Sequence, residues 1–202
     1  MFDVITIGTA TRDVFLTSPL FKVLKDKAHL KKIGFKTGEA ECFALGSKLD
    51  IERPVVTVGG GAANAAVTFA RQNFRTAAIM KVGDDDLGEG IVNDLKKEKI
   101  TTFLTKDKEN GTAYSTILLT PGGERTILVY RGASGNFKKR EVPFGKLRAK
   151  AAYIAPGNTD FSLMQQIVMQ LRKNKVMIAI NPSKKYLEMG SKLQMLLRSV
   201  NV

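Results

Sequence analysis

Short apolar runs and stretches of helical periodicity alternate along most of the chain. The apolar runs are β-branched or alanine-rich and predict buried strands, whereas the intervening stretches repeat their apolar residues at helical spacing. The predicted strands lie at 3–8, 76–82, 151–155 and 176–180, and the predicted helices at 61–73, about 91–97, 161–173 and about 184–198. This alternation indicates an α/β fold with a mostly parallel sheet and right-handed crossovers.

Two parts of the chain break the alternation. Residues from about 18 to 53 contain a lysine-rich stretch with helical character at 22–32, and short strands are predicted at 41–45 and 55–58. Residues 111–120 and 125–131 flank the turn Pro121-Gly122-Gly123-Glu124, which predicts a β-hairpin. We interpret these segments as a small β appendage or lid. A further strand is expected to begin at 200–202.

Composition narrows the class of protein. The 202 residues are 44% hydrophobic and 25% charged, as in ordinary soluble domains. No apolar run could span a bilayer, and Met1 leads directly into a strand pattern without a signal peptide, which predicts a cytoplasmic protein without a membrane partner. One cysteine and one histidine exclude an internal disulfide framework and a histidine metal cluster.

The net charge of +13 raises the question of nucleic acid. Residues 134–202 hold thirteen Lys and Arg against three acidic residues, which leaves +3 for the first 133 residues. The basic residues are not interleaved with aromatic residues on which bases could stack. We therefore favour a solvated basic surface, and nucleic-acid binding remains an alternative.

A glycine-rich stretch, Gly59-Gly60-Gly61-Ala62-Ala63-Asn64, predicts a tight loop that opens a helix. Bare backbone and the unpaired N–H groups of the helix N-terminus would suit a hydroxyl-rich or anionic ligand, and Asn64 can both donate and accept hydrogen bonds. Close packing of the helix against a strand is an equally ordinary use of such glycines. The stretch has neither P-loop nor dinucleotide-binding spacing, which disfavours a dinucleotide-dependent enzyme.

Acidic residues follow two of the predicted strands. Asp13 comes just after the first strand, where ligands of open α/β sheets gather, so it is placed to accept hydrogen bonds from a polyol; a turn or cap is the alternative. The segment Gly83-Asp84-Asp85-Asp86 precedes a helix, and helix capping explains its aspartates better than a divalent ion does.

Taken in order, these pieces resemble the N-terminal part of a ribokinase-like carbohydrate kinase of the PfkB family. The resemblance rests on Asp13 after the first strand, the glycine-rich loop, the segment 82–88, Gly111-Thr112, the hairpin with 122–125, and Asn181-Pro182. It implies a three-layer α/β sandwich with a β lid formed from about 14–18, 36–58 and 112–131. It also implies ATP and Mg²⁺ as cofactors, a sugar, nucleoside or related alcohol as substrate, and a possible homodimer formed through the lids.

Carried over by position, the resemblance makes Asp13, Gly60, Gly61 and Asn64 substrate-binding residues, with Arg131 a further candidate where the chain leaves the lid. The sequence departs from the family in lacking its Asn-x-x-Glu segment and its Gly-Ala-Gly-Asp motif. No catalytic or metal residue is assigned, because the base aspartate is expected beyond Val202. We expect residues 1–202 to be one incomplete domain that is inactive by itself. A non-catalytic sugar- or nucleoside-binding module is the alternative.

Overall fold

The structure is a computed structural model that describes residues 1–135 and 137–202. The chain forms two compact units. The first contains residues 1–12, 58–114 and 130–202, and the second contains residues 13–57 and 115–129. No helix among the described residues is both long and apolar enough to cross a membrane.

A five-stranded parallel sheet forms the centre of the first unit. Its strands are β1 (Phe2–Gly8), β6 (Thr76–Gly83), β7 (Thr101–Asp107), β10 (Ala149–Ala155) and β11 (Met177–Ile180), in the spatial order β11-β10-β1-β6-β7. All four neighbouring pairs are parallel. The parallel sheet expected from the alternation of strands and helices is therefore confirmed.

Successive residues of the central strands face opposite sides of the sheet, and each side has its own hydrophobic core. Ile5 and Ile7 of β1 and Ile79 of β6 belong to one core, which also contains residues of α4 (Phe161–Lys173) and α6 (Ser191–Leu197). Met80 and Val82 belong to the other core, with residues of α2 (Gly61–Arg71) and α3 (Asp86–Lys97). The result is the three-layer α/β arrangement that the sequence indicated.

The second unit contains two small sheets of short strands. A four-stranded sheet has the order β5-β2-β8-β9, with β5 (Val55–Gly59), β2 (Thr11–Thr17), β8 (Tyr114–Leu119) and β9 (Arg125–Tyr130). A two-stranded antiparallel sheet joins β3 (Lys22–Lys25) to β4 (Glu39–Cys42), and α1 (Lys27–Lys32) lies between them in sequence. Asp26 caps α1, because its carboxylate accepts the N–H of His29 at 3.0 Å.

Several element boundaries differ from the predicted ones. The lysine-rich stretch at 22–32 is a strand followed by a short helix, because the capping Asp26 divides it. The strand expected at 41–45 lies at Glu39–Cys42. The helix expected at about 184–198 is two helices, α5 (Lys184–Leu187) and α6, because Gly190 between them has a φ of +54°. The strand β7 has no counterpart in the sequence prediction.

The last residues run beside β11. Val202 donates its N–H to the carbonyl of Ile178 at 3.1 Å, and its carbonyl accepts the N–H of Ile180 at 2.9 Å. The side-chain carbonyl of Asn201 accepts the N–H of Ile178 at 2.9 Å. These bonds hold the last two residues beside β11, but the strand expected to begin at 200–202 is not among the strands of the described residues.

Candidate substrate site

The glycine-rich loop packs against the segment that follows β1. Gly60 precedes α2 with a φ of +92°, and a Cβ atom at this position would lie 2.6 Å from the carbonyl oxygen of Thr9. A Cβ atom on Gly61 would lie 2.7 Å from the Cβ of Ala155. Both positions therefore require glycine, because the loop touches the backbone after β1 and the end of β10.

Thr9 accepts hydrogen bonds from the first N–H groups of α2. The N–H of Gly61 donates to the Thr9 hydroxyl at 3.0 Å, and the N–H groups of Ala62 and Ala63 donate to the Thr9 carbonyl at 3.2 and 3.3 Å. The expectation that this helix N-terminus presents unpaired N–H groups to a ligand is wrong. The packing function of the glycines, which the sequence left as an alternative, is the one that these contacts support.

Other loops at the carboxyl edge of the sheet meet the same segment. The Ser134 hydroxyl accepts the N–H of Ala10 at 3.2 Å, and a Cβ atom on Gly157 would lie 2.5 Å from the Cγ2 of Thr9. The loops that follow β1, β9 and β10 thus converge on Thr9 and Ala10, beside the glycine-rich loop. Brought together in this way, they form the edge of an open α/β sheet at which ligands usually bind.

Asp85 ties the start of α3 to Thr112. Its Oδ1 accepts the N–H of Gly88 at 2.8 Å and the hydroxyl of Thr112 at 2.6 Å, and its Oδ2 accepts the N–H of Thr112 at 2.8 Å. Burial alone would raise the pKa of Asp85, but these hydrogen bonds to the ionised form lower it. The capping function predicted for this aspartate is confirmed.

A buried ion cluster at Lys81 was not found from the sequence. Lys81 lies on β6 with 1% of its side chain exposed, and its Nζ is 2.8 Å from Asp107 and 3.0 Å from Glu141. Burial opposes the charged amine, but the two carboxylates outweigh it and raise the pKa of Lys81. Lys81 lowers the pKa of Asp107 in turn. The only sequence signal was a lysine within an otherwise apolar strand.

The proposed substrate residues have different surroundings. Gly61 and Asn64 are exposed at the start of α2, and the Asn64 side chain forms no hydrogen bond with any described residue. Arg131 is exposed just before the turn that contains Ser134. Asp13 is half-buried within β2, so it is neither a turn residue nor a helix cap. Asn64 and Arg131 belong to the first unit and Asp13 to the second.

The residues of this edge do not fit a metal ion. Within residues 1–135 and 137–202, no three His, Cys, Asp or Glu side chains are grouped as metal ligands. Asp85 is engaged by α3 and Thr112, and Asp84 lies 2.9 Å from Lys106. The described residues of this edge therefore do not provide a set of carboxylate ligands for Mg²⁺.

Comparison with known proteins identifies the family of this chain. The family described as "pfkB family carbohydrate kinase" matches residues 27–202. Ribokinase from Staphylococcus aureus is 34% identical over 122 residues, which are 59% of this chain and 38% of the relative. Ribokinase from Schizosaccharomyces pombe is 24% identical over 190 residues, which are 91% of this chain and 54% of the relative. The chain thus spans about half the length, or less, of these relatives.

Solved structures have the same fold. Adenosine kinase from Sinorhizobium meliloti superimposes with a TM-score of 0.73 at 21% identity, over 99% of this chain and 63% of that one. Fructokinase from Xylella fastidiosa superimposes with a TM-score of 0.70 at 17% identity, over 99% of this chain and 60% of that one. The fold is that of the ribokinase-like three-layer proteins. The chain belongs to the PfkB family of carbohydrate kinases.

Proposed function

We propose that the intact protein phosphorylates a hydroxyl of a sugar, nucleoside or related alcohol with ATP, and that this chain supplies the substrate-binding half. The observation that carries the proposal is the Gly60–Asn64 loop, which packs on Thr9 at the carboxyl edge of the sheet in a chain that belongs to the PfkB family. We place this activity in the cytoplasm, where ATP is available.

Each candidate residue has a function that its chemistry supports. Asp13 would accept hydrogen bonds from substrate hydroxyls, and Asn64 would donate and accept hydrogen bonds with an unoccupied side chain. Gly60 and Gly61 would let the substrate approach the loop closely, because neither residue carries a side chain of its own. Arg131 would supply a positive charge from the start of the turn at 132–135.

Phosphoryl transfer needs a base and donors that stabilise the developing charge, in addition to a bound substrate. The 202 residues contain no Gly-Ala-Gly-Asp motif and no Asn-x-x-Glu segment. We therefore propose that this chain binds substrate without transferring phosphate. In the intact protein, bound ATP would supply the phosphoryl group and Mg²⁺ would neutralise its charge.

Calorimetric titration of the Asn64→Ala variant with ribose, fructose and adenosine tests the proposal. We expect the ligand that the wild type binds to bind about tenfold more weakly, because about 1.4 kcal/mol of hydrogen bonding is lost. Asn93→Ala is the matched control, since Asn93 is an exposed asparagine on α3. Equal binding by both variants would exclude Asn64 from the site.

We also propose that the second unit is a lid and that two copies pair through it. All six residues of β9 are exposed, including Ile127, Leu128 and Val129 at 45–57%, and β9 is at the end of its sheet. An exposed apolar edge strand of this kind favours association with another copy. A closing lid would also keep water away from the phosphoryl group.

Sedimentation velocity tests the pairing. We expect the wild type to sediment as a dimer at micromolar concentration and Leu128→Asp to sediment as a monomer, because a charge at the centre of the interface is not solvated. Leu187→Asp is the control, since Leu187 is 60% exposed on α5 in the first unit. A monomeric wild type would refute the pairing.

A further inference from the structure

A basic pocket lies at the amino edge of the five-stranded sheet, which is the edge opposite the glycine-rich loop. It has a volume of about 500 Å³ and is lined by Arg172, Lys175, Val176, Met177, Arg198, Ser199, Val200 and Asn201. The pocket is formed where α4 ends, β11 begins and the chain leaves α6. All of these residues belong to the first unit.

The three cations of the basic pocket have no acidic partner. No carboxylate lines the pocket, and among the described residues none lies within 4 Å of the charged groups of Arg172, Lys175 or Arg198. Some cations elsewhere on the same unit do have carboxylate partners: Arg71 pairs with Glu98, Arg75 and Lys150 pair with Asp3, and Lys106 pairs with Asp84. The charge of the three cations around this pocket is therefore not compensated by a carboxylate of the described residues.

Two polar groups add donors to the same concavity. The side-chain carbonyl oxygen of Asn201 accepts the N–H of Ile178. The side-chain NH₂ group of Asn201 donates to no described residue and can therefore donate to a ligand. Ser199 adds a hydroxyl group to the lining. A pocket that is lined by hydrogen-bond donors and positive charges, and by no negatively charged group, has the composition of an anion-binding site.

Stabilisation of helix termini is the competing explanation. Basic residues in the last turn of a helix interact favourably with its dipole, and Arg172 is in the last turn of α4. That effect explains single cations near helix ends. It acts on each cation separately and does not explain why three unpaired cations from two helix ends surround one concavity.

We propose that the basic pocket binds a small ligand with two or three linked phosphates. Guanidinium groups match phosphate oxygens in a bidentate manner, and the volume is within the usual range for small-molecule sites. Val176 and Val200 give the pocket an apolar wall, and no aromatic residue lines it, so a stacking platform for a polynucleotide is missing. This ligand site is additional to the proposed kinase function.

Replacing Lys175 with glycine removes one positive charge from the basic pocket without weakening the fold. The residue has a φ of +56° after α4, with its N–H donated to Arg172 and the N–H of Val176 donated to Leu171, which is a Schellman motif. Glycine is favoured at this position, so Lys175→Gly should not lower the unfolding temperature. Lys99 has a φ of +58° in the same motif after α3, beside β7 at the far side of the sheet. Lys99→Gly is therefore a matched control.

Calorimetric titration with inorganic triphosphate at about 0.15 M salt tests the proposal. We expect saturable binding to one site on the wild-type chain, at least about tenfold weaker binding by Lys175→Gly and by Arg198→Gln, and unchanged binding by Lys99→Gly. No saturable binding by the wild type, or equal weakening by Lys175→Gly and Lys99→Gly, would overturn it. Tighter binding of an oligodeoxythymidine that both lysine variants weaken would also overturn it, in favour of an extended polyanion surface. Sugar binding at Asn64 is measured separately, so failure here leaves the kinase proposal intact.

Discussion

At the scale of single residues, Gly60 meets two separate constraints. Its φ of +92° is a conformation that residues with a side chain rarely adopt, and a Cβ atom would lie 2.6 Å from the carbonyl oxygen of Thr9. The neighbouring atoms are backbone and are themselves hydrogen-bonded to α2, so they cannot easily move. Gly60 thus fixes how closely the loop approaches the segment after β1.

We expect Gly60→Ala to lower the free energy of unfolding by about 3 kcal/mol, from unfavourable φ and from overpacking against Thr9. Gly46→Ala is the control, because Gly46 has a φ of +73° with open space around it and should cost only about 1 kcal/mol. Urea denaturation of both variants measures the difference. Equal losses would show that Thr9 does not constrain the loop.

The sequence predicted the loop and the start of α2 because three successive glycines before small helix-forming residues have few other uses. It could not predict that Thr9 occupies the first N–H groups of α2. That contact joins residues 52 positions apart, and no local pattern reports it. The exposure of Asn64 likewise depends on the packing of the loop and not on its sequence.

At the scale of elements, the ion cluster of Lys81, Asp107 and Glu141 joins β6, β7 and the short helix at Lys139–Glu141. The carboxylates are satisfied on their other sides, since Asp107 accepts the N–H groups of Glu109 and Asn110, and Glu141 accepts the N–H of Lys138. Removing the amine would therefore leave two buried carboxylates without a counter-charge.

We expect Lys81→Met to lower the free energy of unfolding by about 3–5 kcal/mol at pH 7. In the wild type, Lys81 lowers the pKa of Asp107 in the folded protein. The ionised Asp107 therefore stabilises the fold fully above the pKa of about 3.9 in the unfolded chain, and this stabilisation is lost as the pH falls through the pKa in the folded protein. In the variant, burial without the amine should raise the pKa of Asp107, so the loss should be smaller at pH 5 than at pH 7.

Urea denaturation of Lys81→Met at pH 7 and pH 5 measures this dependence on pH. Lys106→Met is the control, because the partly exposed pair with Asp84 should contribute no more than about 1 kcal/mol. A loss in Lys81→Met that is as small as the control's would show that the cluster does not stabilise the sheet.

Strong apolar periodicity allowed the central elements to be predicted, and weak periodicity explains those that were not. All eight residues of β6 are buried, and its sequence is correspondingly apolar. The strand β7 is an edge strand with three threonines, a lysine and an aspartate, so it lacks that pattern. The short strand β3 lies in a lysine-rich stretch without an apolar pattern. It could not be predicted from the sequence, because its pairing with β4 defines it as a strand.

At the scale of the whole molecule, the basic residues are unevenly distributed along the chain. The excess of basic residues in 134–202 was expected to be a solvated surface, and much of it is, but three of these cations surround the basic pocket. Sequence could count the charges but could not place them around one concavity. The 202 residues contain neither the Gly-Ala-Gly-Asp motif nor the Asn-x-x-Glu segment, so we propose that kinase activity belongs to the intact protein.

Hydrogen–deuterium exchange of the wild-type chain, with and without ribose, fructose or adenosine, tests the central claim most directly. If the chain carries the substrate-binding half of a kinase, one of these ligands should slow exchange in the Gly60–Asn64 loop and in the peptide that contains Asp13. Unchanged exchange in both segments with all three ligands, or protection confined to other parts of the chain, would contradict the assignment of this loop as the substrate site.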